Sequence, residues 1–303
     1  MNHTLKFVAP LVASATLVLA LSACGSSGDS STGAAPQGGV DTSAPLYNQV
    51  PAQYRKGIKV AVQLNSAPLS MQNENGTQTG EDPELFAALS KQLGIPITVE
   101  QTSFENELLG LEQKKYDFVG QTNITAEREQ KYTQLAQFKD GYRFAALSTT
   151  RDIGNTVMDL CGRKIASQVG DQATDYLNQK SKECTSAGKG AITIIQMPSQ
   201  AEEYVAVASG RAEAAVQPLS LLAYFFSQKD QQLGKSWKET GPSILPILVG
   251  YTFLKDSPLV PVVQQGIQAL IDNGTYGSIL KKWGLSENAV QKAEVNPAPL
   301  AVG

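Results

Sequence analysis

Histidine is almost missing from this chain: among 303 residues there is one, His3. It lies in an N-terminal segment that we expect to be removed, so the mature protein would contain none. Catalytic triads built on histidine, His-Glu-x-x-His zinc sites and imidazole general bases are therefore excluded. No other motif indicates a metal or an organic cofactor, and we predict neither.

An excess of positive charge is also absent. The chain has 25 lysines and arginines against 28 aspartates and glutamates, and its formal net charge is −3. Nucleic acids bind to concentrated basic surfaces, so no nucleic-acid partner is expected. The apolar fraction of 42% is that of a globular protein with a core of its own.

Only one long apolar run is present, from Phe7 to Leu21. It is shorter than the roughly 20 residues that span a bilayer, and small residues follow it, which indicates a cleaved signal peptide at residues 1–23. The string Leu-Ser-Ala-Cys that ends at Cys24 resembles the lipobox of bacterial lipoproteins. This resemblance implies a lipidated, palmitate-bearing Cys24 that anchors the protein to the outer face of the cell membrane. The alternative is an ordinary secretory signal with an incidental cysteine.

Residues 24–46 are rich in glycine and serine and poor in apolar side chains. Such a segment cannot bury enough surface to offset the entropy of ordering it, so we predict a flexible tether. The tether would hold the globular body clear of the lipid headgroups.

Two cysteines remain once Cys24 is set aside, namely Cys161 and Cys184. An even pair in an exported protein predicts a disulfide. Two unpaired buried thiols are the alternative, and a metal site made of two thiols without histidine is a weaker one.

Short β-branched segments alternate with amphipathic segments along the rest of the chain, which predicts a mostly parallel sheet flanked by helices. The alternation forms two blocks, about 55–140 and 150–245, and the piece 250–290 has the pattern of an element that returns to complete the first block. Asn75-Gly76 predicts a hairpin, and Asp82 followed by Pro83 predicts a helix N-cap. The predicted strands are 57–62, 95–100, 116–119, 163–167, 191–195, 214–216 and 247–254, and the predicted helices are 82–93, 103–115, 171–182, 199–210 and one around 276–283.

Four motifs carry a family resemblance. They are Gly-Glu-Asp-Pro-Glu-Leu-Phe at 80–86, Lys-Tyr-Asp-Phe at 115–118, Asn-Ile-Thr-Ala-Glu-Arg at 123–128, and the segment 273–284, which begins Asn-Gly-Thr-Tyr and ends Lys-Lys-Trp-Gly. Together they resemble the family-3 extracellular solute-binding proteins of ABC importers for polar amino acids. Residues 160–166 with Cys184 look like the actinobacterial lipoprotein branch of that family.

The resemblance implies the two-lobed α/β fold of type II periplasmic binding proteins, with a ligand cleft between the lobes. Lobe 1 would comprise 47–142 and 247–290, lobe 2 would comprise 143–246, and 291–303 would be a C-terminal tail. Linkers would lie near 138–142 and 245–247. The implied function is capture of a small polar solute by hinge closure and delivery to an ABC permease with its ATPase, by a monomeric protein.

Arg128 is the first candidate ligand-binding residue. In the family, the arginine at this place forks onto the ligand's carboxylate, and Thr125 would cap its helix. The alternative is one more solvated charge in a charged segment. Phe104 matches an aromatic residue that stacks on the ligand in relatives, although a phenylalanine just after a helix cap can equally be a core residue.

The turn from Gln168 through Asp171 to Gln172 links a strand to a helix, which is a geometry that points free N–H groups into a cleft. Alternatively it is an ordinary glycine-containing turn. Relatives tend to have Thr or Ser where this chain has Asp171. A carboxylate there would repel a ligand carboxylate and could accept a cation.

Other departures also concern the ligand. Relatives carry an aspartate for the ligand's ammonium just after the strand 214–216, where this chain reads Gln217-Pro218. We therefore expect a polar solute of low net charge that is not a standard α-amino acid. The amides expected to line the cleft are Gln63, Gln121, Asn123, Gln168, Gln172 and Gln217.

Two other functions remain open at this stage. A few relatives are dehydratases, so a catalytic protein on the same fold is one alternative; the missing histidine and the lack of a paired-carboxylate motif speak against it. A solute sensor that reports its closed state to a signalling partner is the other.

Overall fold

The computed structural model describes residues 39–63, 65–227, 234–298 and 300. The predicted signal peptide, Cys24 and the tether as far as residue 38 lie outside the described residues. The same holds for residues 299 and 301–303 of the predicted C-terminal tail. Among the helices of the described part, none has both the length and the apolar composition that a membrane span needs.

One eight-stranded sheet organises the described chain, in the order β4-β1-β5-β10-β6-β9-β7-β8. The three strands at each end of this order pair in parallel, and the two long central strands pair in antiparallel fashion. The hairpin predicted at Asn75-Gly76 forms a separate pair, β2 with β3. The strands are β1 Ile58–Gln63, β2 Met71–Gln72, β3 Gln78–Thr79, β4 Ile97–Thr102, β5 Phe118–Asn123, β6 Tyr132–Leu147, β7 Lys164–Gln168, β8 Thr193–Met197, β9 Ala214–Pro218 and β10 Trp237–Leu254.

Helices connect the strands, which confirms the α/β fold with a mostly parallel sheet. After β10 has paired with β5, α7 and α8 pack on α1, so the C-terminal part completes the first half of the sheet. The helices are α1 Glu81–Leu93, α2 Phe104–Glu112, α3 Ala126–Lys131, α4 Gln172–Ser186, α5 Gln200–Ala208, α6 Leu219–Ser227, α7 Val260–Asp272 and α8 Thr275–Lys282.

The start of α1 differs from the sequence prediction, because Asp82 is not the N-cap. The helix begins at Glu81, after Gly80, which has φ 131°. A Cβ at Gly80 would stand 2.3 Å from the carbonyl oxygen of Leu69, so this close approach needs glycine. The carboxylates of Glu81 and Asp82 are fully buried and make no cap bond. The predicted cap Thr125 is confirmed, since its Oγ1 accepts from the Arg128 backbone N–H at 3.1 Å.

The segments predicted as linkers, 138–142 and 245–247, are strand residues at the middle of β6 and β10. Ile247 pairs with Asp140 and Ile244 with Tyr142, and the register shifts on both sides of Ile244. Leu245 has φ 48° at the same place. The sheet therefore remains hydrogen-bonded through its centre but is irregular where the two halves join.

The predicted disulfide between Cys161 and Cys184 is confirmed, with a Cα–Cα distance of 5.6 Å. It fastens the last turn of α4 to Cys161, three residues before β7 begins at Lys164. For a closed loop of this length, the chain-entropy model gives a stabilisation of about 3 kcal/mol.

Candidate functional site

A small cavity lies where β6 and β10 cross between the two halves of the sheet. Its volume is about 30 Å³. We call it the inner chamber. Five of the predicted site residues border it, namely Gln63, Phe104, Gln121, Asn123 and Asp171, and the chain adds Asp140, Tyr142, Gln200 and Ser220, which sequence reasoning missed.

Asp171 is held in the inner chamber by its own helix and by a tyrosine. It is the N-cap of α4, and its Oδ1 accepts from the Ala173 backbone N–H at 3.0 Å and from the Tyr142 hydroxyl at 2.5 Å. Asn123 Nδ2 in turn donates to the Tyr142 oxygen at 2.7 Å. Among the described residues none donates to Asp171 Oδ2. Asp171 therefore has one oxygen fixed by the protein and one available to a ligand.

Burial shifts the titration of this pair. Desolvation raises the pKa of Asp171, although the hydrogen bonds from Tyr142 and Ala173 act in the opposite direction. Desolvation, followed by the charge of Asp171, raises the pKa of Tyr142 well above its usual value. The tyrosine therefore keeps its proton at neutral pH and serves as the donor to Asp171.

Asp140 is the second carboxylate of the inner chamber, and it joins β6 to α6. It accepts from the Gly141 N–H at 2.8 Å, the Ser220 N–H at 3.2 Å and the Ser220 hydroxyl at 2.5 Å. Burial raises its pKa to about 6, although these bonds oppose the shift. Because Asp140 satisfies the N-terminus of α6 from a distant strand, it fixes that helix against the chamber.

Gln121 is oriented by a pair of buried acids behind the chamber wall. It sits in β5 with φ 53°, and its Nε2 donates to Asp82 Oδ2 at 2.6 Å. Gln137 Nε2 bonds Asp82 Oδ1 at 2.9 Å and Glu81 Oε2 at 2.8 Å. Desolvation raises the pKa of Asp82 to about 6 and that of Glu81 well above its usual range. Because Asp82 accepts, the Gln121 amide must turn its nitrogen toward it, and its Oε1 is buried without a partner.

Several hydrogen-bond donors of the chamber already have partners within the protein, whereas two of its acceptors have none among the described residues. Gln121, Asn123, Tyr142 and Ser220 each already donate a hydrogen to a neighbour. The acceptors Gln121 Oε1 and Gln200 Oε1 are buried and have no hydrogen-bond partner. Buried polar atoms nearly always find a partner, so these two oxygens are unsatisfied acceptors in side chains that border the chamber.

Contacts between the two halves close the chamber. Gln168 Nε2 donates to Gln63 Oε1 across the cleft at 3.2 Å. Arg128 donates through one guanidinium nitrogen to the Asn123 carbonyl at 2.9 Å and through another to the Gly170 carbonyl at 3.5 Å. Its guanidinium carbon also lies 5.4 Å from the centre of the Phe104 ring. Arg128 thus lies beside the chamber rather than among its lining residues, and two of its guanidinium nitrogens donate to backbone carbonyls.

Four predicted site residues do not border the inner chamber: Arg128 and Gln168, described above, and Gln172 and Gln217. Gln172 is the first residue of α4 and is half-buried. Gln217 is fully buried, and its Nε2 donates to the Gln200 carbonyl at 3.1 Å and to Glu203 Oε2 at 3.0 Å. It borders a second cavity of about 300 Å³, which we call the outer chamber.

Sequence reasoning missed Asp140, Tyr142, Gln200 and Ser220 because the pattern placed the first two in a linker and gave the others no chemical role. Their partners are far away in sequence: Asp140 and Ser220 are 80 residues apart, and Tyr142 and Asp171 are 29 apart. A polar residue at the join of two predicted lobes was the available signal for Asp140. Among the described residues, no group of three or more His, Cys, Asp or Glu side chains is arranged to hold a metal ion.

Comparison with known proteins supplies the family. The profile of bacterial extracellular solute-binding proteins, family 3, matches residues 58–286. The arginine-binding protein ArgT of Corynebacterium glutamicum is 25% identical over 236 residues, which cover 77% of this chain and 76% of ArgT. Among solved structures, an ancestral arginine-binding protein bound to glutamine aligns with a TM-score of 0.67 at 23% identity, covering 77% of this chain and 99% of that one.

A third similarity bears on the enzymatic alternative. The ancestral amino acid-binding protein AncCDT-1, a precursor of cyclohexadienyl dehydratase, aligns with a TM-score of 0.64 at 24% identity over 76% of this chain and 96% of that one. Identities this low show the fold alone, which is that of type II periplasmic binding proteins. With the family profile covering most of its length, the chain belongs to the family-3 bacterial extracellular solute-binding proteins.

Proposed function

We propose that this solute-binding protein captures a small cationic solute, amino-acid-like in size and polarity, and delivers it to an ABC permease and its ATPase. Lobe 1 is residues 47–142 with 247–290, and lobe 2 is residues 143–246. The hinge is the irregular middle of β6 and β10. The protein works as a monomer, held to the outer face of the membrane by lipid on Cys24 and by the tether.

The charge of the inner chamber carries the proposal of a cation. Two carboxylates, Asp140 and Asp171, border it. Arg128 lies outside the lining, two of its nitrogens donate to backbone carbonyls, and its charge offsets only part of the burial that raises the pKa of Asp171. A buried carboxylate is costly without a counter-charge, and a ligand ammonium or guanidinium group would supply one. The unpartnered amide oxygens of Gln121 and Gln200 would accept further N–H donors from the same group.

In our proposal, Asp171 also takes the role of the aspartate that relatives carry where this chain has Gln217-Pro218. Asp171 takes the ligand's cationic group from the same lobe, at the turn after β7, the strand that pairs with β9. The name of ArgT supports a donor-rich cationic ligand, since that relative is an arginine-binding protein. A ligand carboxylate would face Asp171 and Asp140, so we propose that the solute need not be a standard α-amino acid.

Hinge closure is supported by contacts that join the two halves. The Gln168–Gln63 bond and the Arg128–Gly170 bond both connect the β1–β5 side with the turn before α4. Contacts made only in the closed form are the means by which a ligand can shift the population toward closure. In this proposal Arg128 stabilises the closed form, which keeps it among the residues that ligand affinity depends on.

A thermal-shift series tests the proposal. L-Arginine, agmatine (arginine without its carboxylate), L-glutamine and L-glutamate would each be added to the purified protein. A ligand at 100 times its dissociation constant adds about 2.7 kcal/mol to the free energy of unfolding. We expect agmatine to stabilise the protein at least as well as arginine, and glutamate not to stabilise it. Stabilisation by glutamate without stabilisation by agmatine would contradict the cationic site.

The catalytic alternative is raised by AncCDT-1, which is a precursor of a dehydratase but is itself named as an amino acid-binding protein. ArgT is named as a binding protein rather than an enzyme. Recovery of an unchanged ligand after prolonged incubation would distinguish binding from turnover, and neighbouring permease and ATPase genes would favour an importer over a sensor.

A further inference from the structure

The outer chamber is about ten times larger than the inner one, at about 300 Å³ against about 30 Å³. Gln200 and Leu221 border both, so the two are separated by little more than these side chains. The remaining walls come from the loop after β1, from α5 and from α6, with Val205 at 44% exposure on the edge. The two chambers are therefore neighbouring cavities, a narrow inner one and a wide outer one, with Gln200 and Leu221 between them.

The outer chamber has an aromatic wall. The rings of Tyr204 and Phe225 stack in parallel with centroids 4.2 Å apart, and Trp237 packs edge-on against both at 5.4 and 5.5 Å. Tyr224 and Leu221 complete the apolar surface. Rings locked together in this way present a flat, rigid face, which suits a planar or branched apolar group.

Polar atoms within this wall are buried without partners. They are the Tyr204 hydroxyl and Gln217 Oε1, together with Gln200 Oε1 at the boundary. Burial raises the pKa of Tyr204 well above its usual value, so its hydroxyl keeps its proton and can donate. The residues that carry these atoms border the chamber, so its lining has the mixed character of a ligand pocket: mostly apolar, with a few polar residues.

The size difference decides what each chamber can hold. A buried water needs about 10–15 Å³ of such volume, so the inner chamber has room for about two waters or one ammonium-sized head. Pockets that bind drug-sized ligands begin at about 300 Å³. A solute larger than its cationic head must therefore extend past Gln200 and Leu221.

We infer that the outer chamber is a second subsite, which takes the apolar, ring-bearing tail of a solute whose cationic head lies in the inner chamber. The inference rests on the proposed function for the head, and it adds the class of solute: an amphipathic amine or guanidine with a ring-sized apolar tail. Tyr204 and Phe225 stack on the tail, and Gln200 and Gln217 accept from any polar substituent that it carries.

Isothermal titration calorimetry with three probes tests the inference: phenethylamine as head plus tail, ethylamine as head alone, and 2-phenylethanol as tail alone. The variant Ala201→Trp places a large side chain in the outer chamber from an exposed position of α5. Ala223→Trp is the matched control, because Ala223 is exposed on α6 and does not border either chamber.

We expect phenethylamine to bind the wild type at least ten-fold more tightly than ethylamine. Ala201→Trp should remove most of that advantage, and Ala223→Trp should preserve it. Equal affinities for phenethylamine and ethylamine would overturn the second subsite and leave the cationic head intact. Binding of 2-phenylethanol as tight as that of phenethylamine, and lost in Ala201→Trp, would support the subsite and overturn the cationic head. No binding of any probe would overturn both.

Discussion

The inner and outer chambers differ in the contacts that the protein itself already makes to the groups that line them. In the inner chamber Gln121, Tyr142 and Ser220 donate to buried carboxylates and Asn123 donates to the Tyr142 oxygen. Two amide oxygens and one oxygen of Asp171 have no donor among the described residues. In the outer chamber the main internal contacts are between aromatic rings, which pack face to face and edge to face. The first is built to fix one charged group at one place, whereas the second offers surface to groups of varied shape. Charge selection and shape selection would thus be divided between two neighbouring chambers.

Replacement of the inner carboxylate should give the largest effect. Asp171→Asn removes the charge while keeping the size of the side chain, and losing one partner of a buried charged pair costs about 2–5 kcal/mol. We expect a cationic ligand such as agmatine to bind at least 30-fold more weakly. Asp175→Asn, at an exposed position of the same helix, is the control and should have little effect. If both variants bind agmatine like the wild type in calorimetry, Asp171 does not contact the ligand.

Loss of the contact that closes the cleft should come next. Arg128→Ala removes the bonds to the Asn123 and Gly170 carbonyls, and bonds from a charged donor are worth about 1.5–3 kcal/mol. We expect about a ten-fold or greater loss of affinity and of ligand-induced stabilisation, while the unliganded fold persists. Lys131→Ala, exposed on the same helix, is the comparison. Unchanged affinity in Arg128→Ala would remove Arg128 from the site.

Acidification should weaken the inner chamber and spare the outer one. The pKa of Asp140 is raised to about 6, so a cation loses its counter-charge as pH falls through 6. We expect about ten-fold weaker binding of agmatine at pH 5 than at pH 7, from the loss of the ionised fraction. Titration at several pH values would show this, and 2-phenylethanol should show no such trend. Equal agmatine affinities at pH 5 and pH 7 would contradict the role of Asp140.

The raised pKa values have the opposite effect on the stability of the unliganded protein, which should increase as the pH falls. Asp82 and Asp140 both have folded-state pKa values raised to about 6, above those of unfolded carboxyl groups. The folded state therefore binds more protons between about pH 4 and pH 6, and the free energy of unfolding should fall as pH rises through that window. Chemical denaturation at pH 4.5 and pH 6.5 without ligand would measure it. The difference between the wild type and Asp140→Asn isolates the contribution of Asp140 to the free energy of unfolding. If that contribution is larger at pH 6.5 than at pH 4.5, the raised pKa of Asp140 is contradicted.

Removal of the disulfide should have the smallest effect on either chamber. Replacing Cys161 and Cys184 by serine should reduce the free energy of unfolding by about 3 kcal/mol, because the unfolded chain gains freedom. The pair fastens α4 at the end far from Asp171, so agmatine affinity should change little. A large loss of affinity with a folded protein would show that α4 transmits the position of its distant end to the chamber.

Much of the fold could be predicted from the sequence because local signals agreed. Apolar β-branched segments form the strands β1, β4, β7 and β8. The helix α5 begins directly after Ser199, whose Oγ accepts from the Glu202 N–H at 3.3 Å. The helix α6 was missed for a physical reason. Its residues, Leu-Ser-Leu-Leu-Ala-Tyr-Phe-Phe-Ser, have no clear polar face, and the group that satisfies its N-terminus is Asp140, 80 residues earlier.

The site was predictable only where the family pattern reached it. Asp171 was predicted as an unusual carboxylate near a ligand, and it borders the inner chamber. Gln217 was predicted for the same cleft but bonds to Glu203 and borders the outer chamber. The sequence shows that an amide replaces an expected acid. It does not show that a buried glutamate on α5 turns that amide aside, because the pairing depends on the packing of α5 against β9.

The central claim is that a cationic head enters the inner chamber. Its most direct test is calorimetric titration of the wild-type protein with phenethylamine and with 3-phenylpropionate, which have similar shape and opposite charge. Our account predicts measurable binding of the amine and none of the carboxylate. Tighter binding of the carboxylate would contradict it, and would place an anion beside Arg128 in the role that the family resemblance first implied.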